Sequence, residues 1–146
     1  MNSELQTLYE QDQADRQFSL PADLGKRDSA RRRRVEELID AGELQTPEDY
    51  YHAAMVFQHG GTVEYAWRAY ELAKRAAEMG YDRWLMRQGK PQKYGTQYIA
   101  DGPCWKLWPV DTTTTDAERA EWHVPPLAEA QQRAIELTRK RPPQQL

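Results

Sequence analysis

Cysteine is almost missing from this chain. Cys104 stands alone, which excludes an intramolecular disulfide and a multi-cysteine zinc site, and beside Pro103 and Trp105 it reads as a small packed residue. Long apolar runs are missing as well: no window approaches the roughly eighteen residues that a membrane-spanning helix needs. The opening Met1-Asn2-Ser3-Glu4-Leu5-Gln6 has neither the basic nor the apolar region of a signal peptide, so a soluble, cytoplasmic protein with no membrane partner is expected. Strong charge of one sign is also lacking. A net charge of −3 weighs against a general nucleic-acid binder, despite the run Arg31-Arg32-Arg33-Arg34. Arg32 and Arg33 stand four residues before Glu36 and Glu37, so the run reads mainly as a solvated helix face. There is no phosphate loop of the Walker type, no dinucleotide glycine fingerprint, no zinc-protease His-Glu-x-x-His and no nucleophile elbow. His52 and His59 are two helical turns apart, about 10 Å, too far to share a metal ion. No cofactor or metal is expected.

What is present reads as mainly α: a single-domain helical bundle over residues 1–146, with frayed ends near 1–3 and 141–146. The hydrophobic fraction of 39% and mean hydropathy of −0.96 leave little beyond one core. A first helix is predicted over 3–18, and a second from a Ser29 cap to about Ala41, stopped by Gly42. Thr46-Pro47-Glu48-Asp49 is a strong start for a third, which ends at Gly60-Gly61. Thr62 caps a fourth that runs to Met79 with Gly80 as terminator, and Tyr81–Arg87 forms a fifth. Ala66, Ala69, Ala73, Ala76 and Ala77 make a small-residue stripe, so the third and fourth helices are expected to form a tight antiparallel helical hairpin. The period then changes. Residues 96–100 and 104–108 read as a small β-hairpin around Asp101-Gly102, with Pro103 leaving the register open. Thr115-Asp116-Ala117-Glu118 matches a capping box, and Pro125-Pro126 opens the last helix, over 127–139.

Four polar clusters stand out. Gln58-His59 closes the third helix, where the histidine is either a capping residue or a base beside two permissive glycines. Asp82-Arg83 suits a structural ion pair, anion binding or the orientation of a histidine. Asp12, Gln13 and Arg16 place an acid and a base on one helix face, a spacing equally typical of an ordinary surface pair. The segment Lys90-Pro91-Gln92-Lys93-Tyr94-Gly95-Thr96-Gln97 packs proline, glycine, amides, a phenol and a hydroxyl between a helical and a strand-like pattern. Extended, it sends Gln92, Tyr94 and Thr96 to one side and Gln97 to the other, unless Gly95 breaks the pleat. Such groups bind and orient better than they transfer protons.

Taken in order, Asp12-Gln13-x-x-Arg16, Gln58-His59, Asp82-Arg83, the Gly89 to Gln97 element and Pro125-Pro126-Leu127 resemble the motifs of a bacterial family of unknown function. The resemblance covers most of the chain, and the long element is its most specific part. It implies one constellation and no particular activity. Family members tend to have a longer stretch before the Asp-Arg pair, so this chain is shortened between Gly80 and Asp82. The resulting expectation is a polar pocket for a small anionic or amide-bearing molecule. His59 serves as base or acid and Asp82 as its orienter; Arg16 and Arg83 hold an anionic group, and Asp12, Gln13, Gln58, Gln92, Tyr94, Thr96 and Gln97 complete the ligand-binding set. Hydrolysis or another proton transfer is the matching chemistry. The alternative is a non-enzymatic binding or interaction module whose polar clusters form a structural network, or one that docks a peptide along Tyr50, Phe57, Trp67 and Tyr70.

Overall fold

The computed structural model describes residues 1–17, 21–140 and 142–143. The expected reach of the first helix to Phe18 and the expected frayed end at 141–146 fall wholly or partly outside them. The chain is mainly helical, with one small antiparallel sheet among the described residues, and it divides into two compact units, 1–76 and 77–146.

In the first unit, α1 (Ser3–Gln17), α2 (Leu24–Asp40) and α3 (Pro47–Gln58) make the closest helix approaches, and α4 (Val63–Arg87) begins. The core gathers Leu5, Val35, Leu38, Phe57 and Leu72 with Ala53, Ala54 and Ala69, apolar positions recurring at helical spacing. Only part of the alanine stripe belongs to it: Ala69 is buried, while Ala66, Ala73 and Ala77 are exposed. The start of α3 is the expected cap in full. Thr46 Oγ1 accepts from the Asp49 N–H, and Asp49 answers by accepting from the Thr46 N–H at 2.9 Å. Asp49 also accepts the N–H groups of Asn2, at 2.6 Å, and Gln45, at 3.0 Å, which ties the start of α1 to α3.

Helix α2 starts five residues before the expected cap. Ser29 lies inside it, its hydroxyl donating to the Gly25 carbonyl at 2.8 Å. Gly42, at φ +69°, does end that helix: the N–H groups of Gly42 and Glu43 return to the Ile39 and Leu38 carbonyls.

Helix α4 corrects the sequence reading further on. It is continuous through Gly80, so the expected fourth and fifth helices are one. Its stop is Gly89, at φ +70°, where the Gly89 and Lys90 N–H groups return to the Met86 and Leu85 carbonyls.

The second unit holds the end of α4, the hairpin β1 (Tyr98–Asp101) and β2 (Cys104–Leu107), α5 (Asp116–Glu121) and α6 (Leu127–Lys140). Pairing of Asp101 with Cys104 leaves a two-residue loop, with Gly102 at φ +57° followed by Pro103, whose fixed negative φ completes the sign pattern of a II′ turn. Cys104 is exposed on β2, not packed. Helix α6 lies along β2: the Trp105 N–H donates to Thr138 Oγ1 at 2.8 Å, and the Tyr98 hydroxyl donates to the Ala130 carbonyl at 3.1 Å. Thr115 caps α5 as expected, by accepting from the Glu118 N–H. No helix among the described residues is long and apolar enough to cross a membrane.

Candidate functional site

Apart from Gln58, the residues singled out from the sequence fall into two hydrogen-bonded clusters, one within each unit. In the first, Asp12 is the hub. Its Oδ1 accepts from Arg16 Nη1 at 2.8 Å, and its Oδ2 from Gln13 Nε2 at 3.0 Å, with His59 Nδ1 2.9 Å away. Arg16 reaches on to Asp28, at 2.8 Å, and Arg31 donates to Asp28 at 2.6 Å and to Asp15 at 2.8 Å. Arg27 joins Asp15 at 3.1 Å. Asp12, Asp15, Asp28 and Arg31 are all buried, so the Asp12–Arg16 pair is part of an interior network, not an ordinary surface pair. Three carboxylates and three guanidinium groups balance in charge, which is what allows such groups inside. Burial alone would raise the Asp28 carboxyl, but the Arg31 and Arg16 guanidinium groups outweigh it and hold that pKa below the usual carboxylate range.

His59 is the C-terminal cap of α3, as one reading of the sequence had it, and its side chain does more than cap. With the carboxylate of Asp12 on Nδ1, the neutral ring carries its proton there and presents Nε2 as an acceptor; 24% of the side chain is exposed. The carboxylate beside the His59 ring is that of Asp12, while Asp82 bonds its own loop. Gln58 does not join: it is exposed and its amide contacts the Met55 sulfur at 3.2 Å. The adjacent Gly60 is required by a close approach, since a Cβ there would come within 2.5 Å of the Tyr65 ring. What the glycine admits is therefore a side chain of the protein itself.

In the second unit, Asp82 sits on the last turns of α4 with no exposed surface. Its Oδ1 accepts the N–H groups of Lys93, at 2.8 Å, and Tyr94, at 2.9 Å. Its Oδ2 accepts the Thr96 N–H at 3.0 Å and the Thr96 hydroxyl at 2.8 Å. Four donors fill a carboxylate's ordinary acceptor capacity. Gly95 makes this convergence possible: at φ +82° it turns the chain between Tyr94 and Thr96, and a Cβ there would lie 3.1 Å from an Arg119 nitrogen. Successive N–H groups of a tight loop form a nest for an anion, and here the resident anion is Asp82.

The two glutamines complete the fastening. Gln92 Nε2 donates to the carbonyls of Gln97, at 3.0 Å, and Trp108, at 2.8 Å, while its Oε1 accepts the Gln97 N–H at 2.7 Å. Gln97 Nε2 donates to the Met79 carbonyl at 3.1 Å and to Thr96 Oγ1 at 3.0 Å, and its Oε1 lies 3.4 Å from Arg83 Nε. Gly95 thus breaks the pleat, and Gln92 and Gln97 meet across the bend. Tyr94 is buried, its ring 5.6 Å from that of Trp122; burial pushes its phenol pKa upward. Arg119, fully buried on α5, donates to the Tyr94 carbonyl, and the Trp108 indole donates to the Lys90 carbonyl at 2.7 Å.

Sequence reading missed Asp15, Asp28 and Arg31 in the first cluster and Arg119 in the second. The spacing Asp28-x-x-Arg31 was a usable signal, obscured by reading the basic run as a solvated face. In the structure its last two members, Arg33 and Arg34, are exposed: Arg34 bridges Glu4 and Glu37 at the surface, and the expected pairs of Arg32 with Glu36 and Arg33 with Glu37 are not formed. For Arg119 there was no signal. Among the described residues no group of three or more His, Cys, Asp or Glu side chains gathers as a metal site. Comparison with protein-family models, curated proteins and solved structures found no match to this chain.

Proposed function

We propose that this chain is a non-enzymatic binding or interaction module in which the Gly89 to Gln97 element is a structural fastening rather than a ligand site. The observation that carries this reading is the internal use of its polar groups: Asp82 accepts four hydrogen bonds from its own loop, and the Gln92 amide turns onto the backbone of Gln97 and Trp108. The motif resemblance fits, because Asp82-Arg83 and the long element read as the two halves of one clasp. A cytoplasmic setting suits the single exposed Cys104.

A second reading, proton transfer at His59 on a small polar molecule, is favoured by the Asp12 carboxylate on Nδ1, which leaves Nε2 as an acceptor on a partly exposed ring. Docking of a peptide along Tyr50, Phe57, Trp67 and Tyr70 has less support, because Phe57 is buried in the core.

Urea denaturation of two variants separates a fastening from a reactive group. Asp82→Asn replaces one acceptor oxygen by a donor in front of buried N–H groups, and a loss of about 3 kcal/mol or more is expected. His59→Gln keeps a polar side chain at a partly exposed position and should cost less than about 1 kcal/mol. An Asp82→Asn protein as stable as the wild type would remove the structural reading.

A further inference from the structure

A cavity of about 460 Å³ opens among α2, the end of α3 and the first turns of α4, apart from the residues that bond His59. That volume lies within the range of about 300–1,000 Å³ typical of small-molecule sites. Arg32, Arg33 and Arg68 line it, over an apolar floor of Tyr65 and Phe57. The three arginines are not equivalent. Arg68 is already neutralised, its Nη2 donating to Glu36 at 3.0 Å and its Nη1 lying 3.7 Å from Glu71. Among the described residues neither Arg32 nor Arg33 is paired with a carboxylate.

Arg32 is held flat. Its guanidinium carbon lies 4.7 Å from the centroid of the Tyr65 ring, and its Nη2 is 3.4 Å from Ser29 Oγ. Its Nε and Nη1 are shielded from water and have no acceptor among the described residues. Nitrogens closed to water are closed to a ligand as well, so what Arg32 brings to the cavity it lines is its positive charge. A cation held over a ring also loses less freedom when an anion approaches it. Glu36 is taken up by Arg68, so Glu64 is the remaining acid of the lining against two uncompensated cations.

We propose that this cavity binds a small organic anion: a carboxylate or phosphate head received by Arg32 and Arg33, on an apolar body that packs against Tyr65. The assignment rests on the binding-module reading and names its ligand class.

Titration of the full ¹⁵N-labelled chain with phenyl phosphate and, in parallel, benzoate tests it, with inorganic phosphate and phenol as the two halves of the probe. The expected result is saturable amide shifts at Ser29, Arg32, Arg33 and Tyr65 with at least one aromatic anion, binding about tenfold or more tighter than either half alone. Arg32→Gln should weaken that binding about tenfold or more, and Arg33→Gln provides a second variant if the first fails to fold. Shifts that never saturate, or saturation unchanged in both variants, would overturn the assignment. Saturable shifts confined to other residues would overturn it while leaving the binding module standing; the module itself falls by the Asp82→Asn denaturation, which this titration does not touch.

Discussion

Burial decides what individual ionisable residues do. His52 stacks on Tyr9 with ring centroids 4.4 Å apart, its Nδ1 has no hydrogen-bond partner among the described residues, and burial pushes its pKa below the ordinary 6.5. The folded state therefore keeps it neutral to a lower pH than the unfolded chain, which takes up a proton near 6.5. Its contribution to stability is complete above that pH and is lost as pH falls through 6.5 toward the depressed folded value. Asp28 and Asp49 act in the same direction at lower pH. Burial alone would raise both, but the Arg31 and Arg16 guanidinium groups hold Asp28 down, and the N–H groups of Asn2, Gln45 and Thr46 hold Asp49 down. What they contribute is present above the ordinary 3.8 and is lost as pH falls from there through the depressed folded values. Thermal melting should accordingly show a first decline below about pH 6.5 and a steeper one below about pH 4. His52→Phe is expected to remove the first and leave the second; a variant with the same pH profile as the wild type would contradict the assignment to His52.

Among the helices and turns, the same glycine type does opposite things in one helix. Gly80 is an interior position of α4 with open space where a Cβ would go, whereas Gly89 ends that helix in the left-handed region, again with open space. Space is equal, so backbone conformation alone sets the outcome. Gly80→Ala should stabilise the protein by about 0.8–1 kcal/mol, and Gly89→Ala should destabilise it by about 1 kcal/mol. Equilibrium urea unfolding reads both; a loss of stability in Gly80→Ala would mean that α4 breaks there. This is also where the sequence misleads. Helix starts at Thr46, Thr62 and Thr115 were legible because a cap and its N–H partner lie three residues apart. Stops were harder, because glycine advertises freedom without the sign of φ that it will use. His123, at φ +57°, takes the left-handed position after α5 with no glycine to announce it, its N–H and that of Val124 returning to Ala120 and Arg119.

Over the whole molecule, the sequence displayed the polar actors but not their partners. Asp12 and Arg16 were legible as a pair from their spacing of four, while Asp28 and Arg31 enter the same network from another helix, a closure that no local pattern encodes. The Gln92 to Gln97 element was visible as an oddity of composition. That its amides face inward depends on Asp82, a helix residue more than ten positions earlier, and on Gly95 turning the chain onto it. This loop should therefore be held as firmly as a core element. Native-state hydrogen exchange measures that amide by amide. The N–H groups of Lys93, Tyr94, Thr96 and Gln97, each bonded to the Asp82 or Gln92 side chain, should exchange only when the surrounding unit opens, with protection comparable to that of the buried turns of α6. Exchange of these four at rates near those of an unstructured peptide, while α6 stays protected, would contradict it.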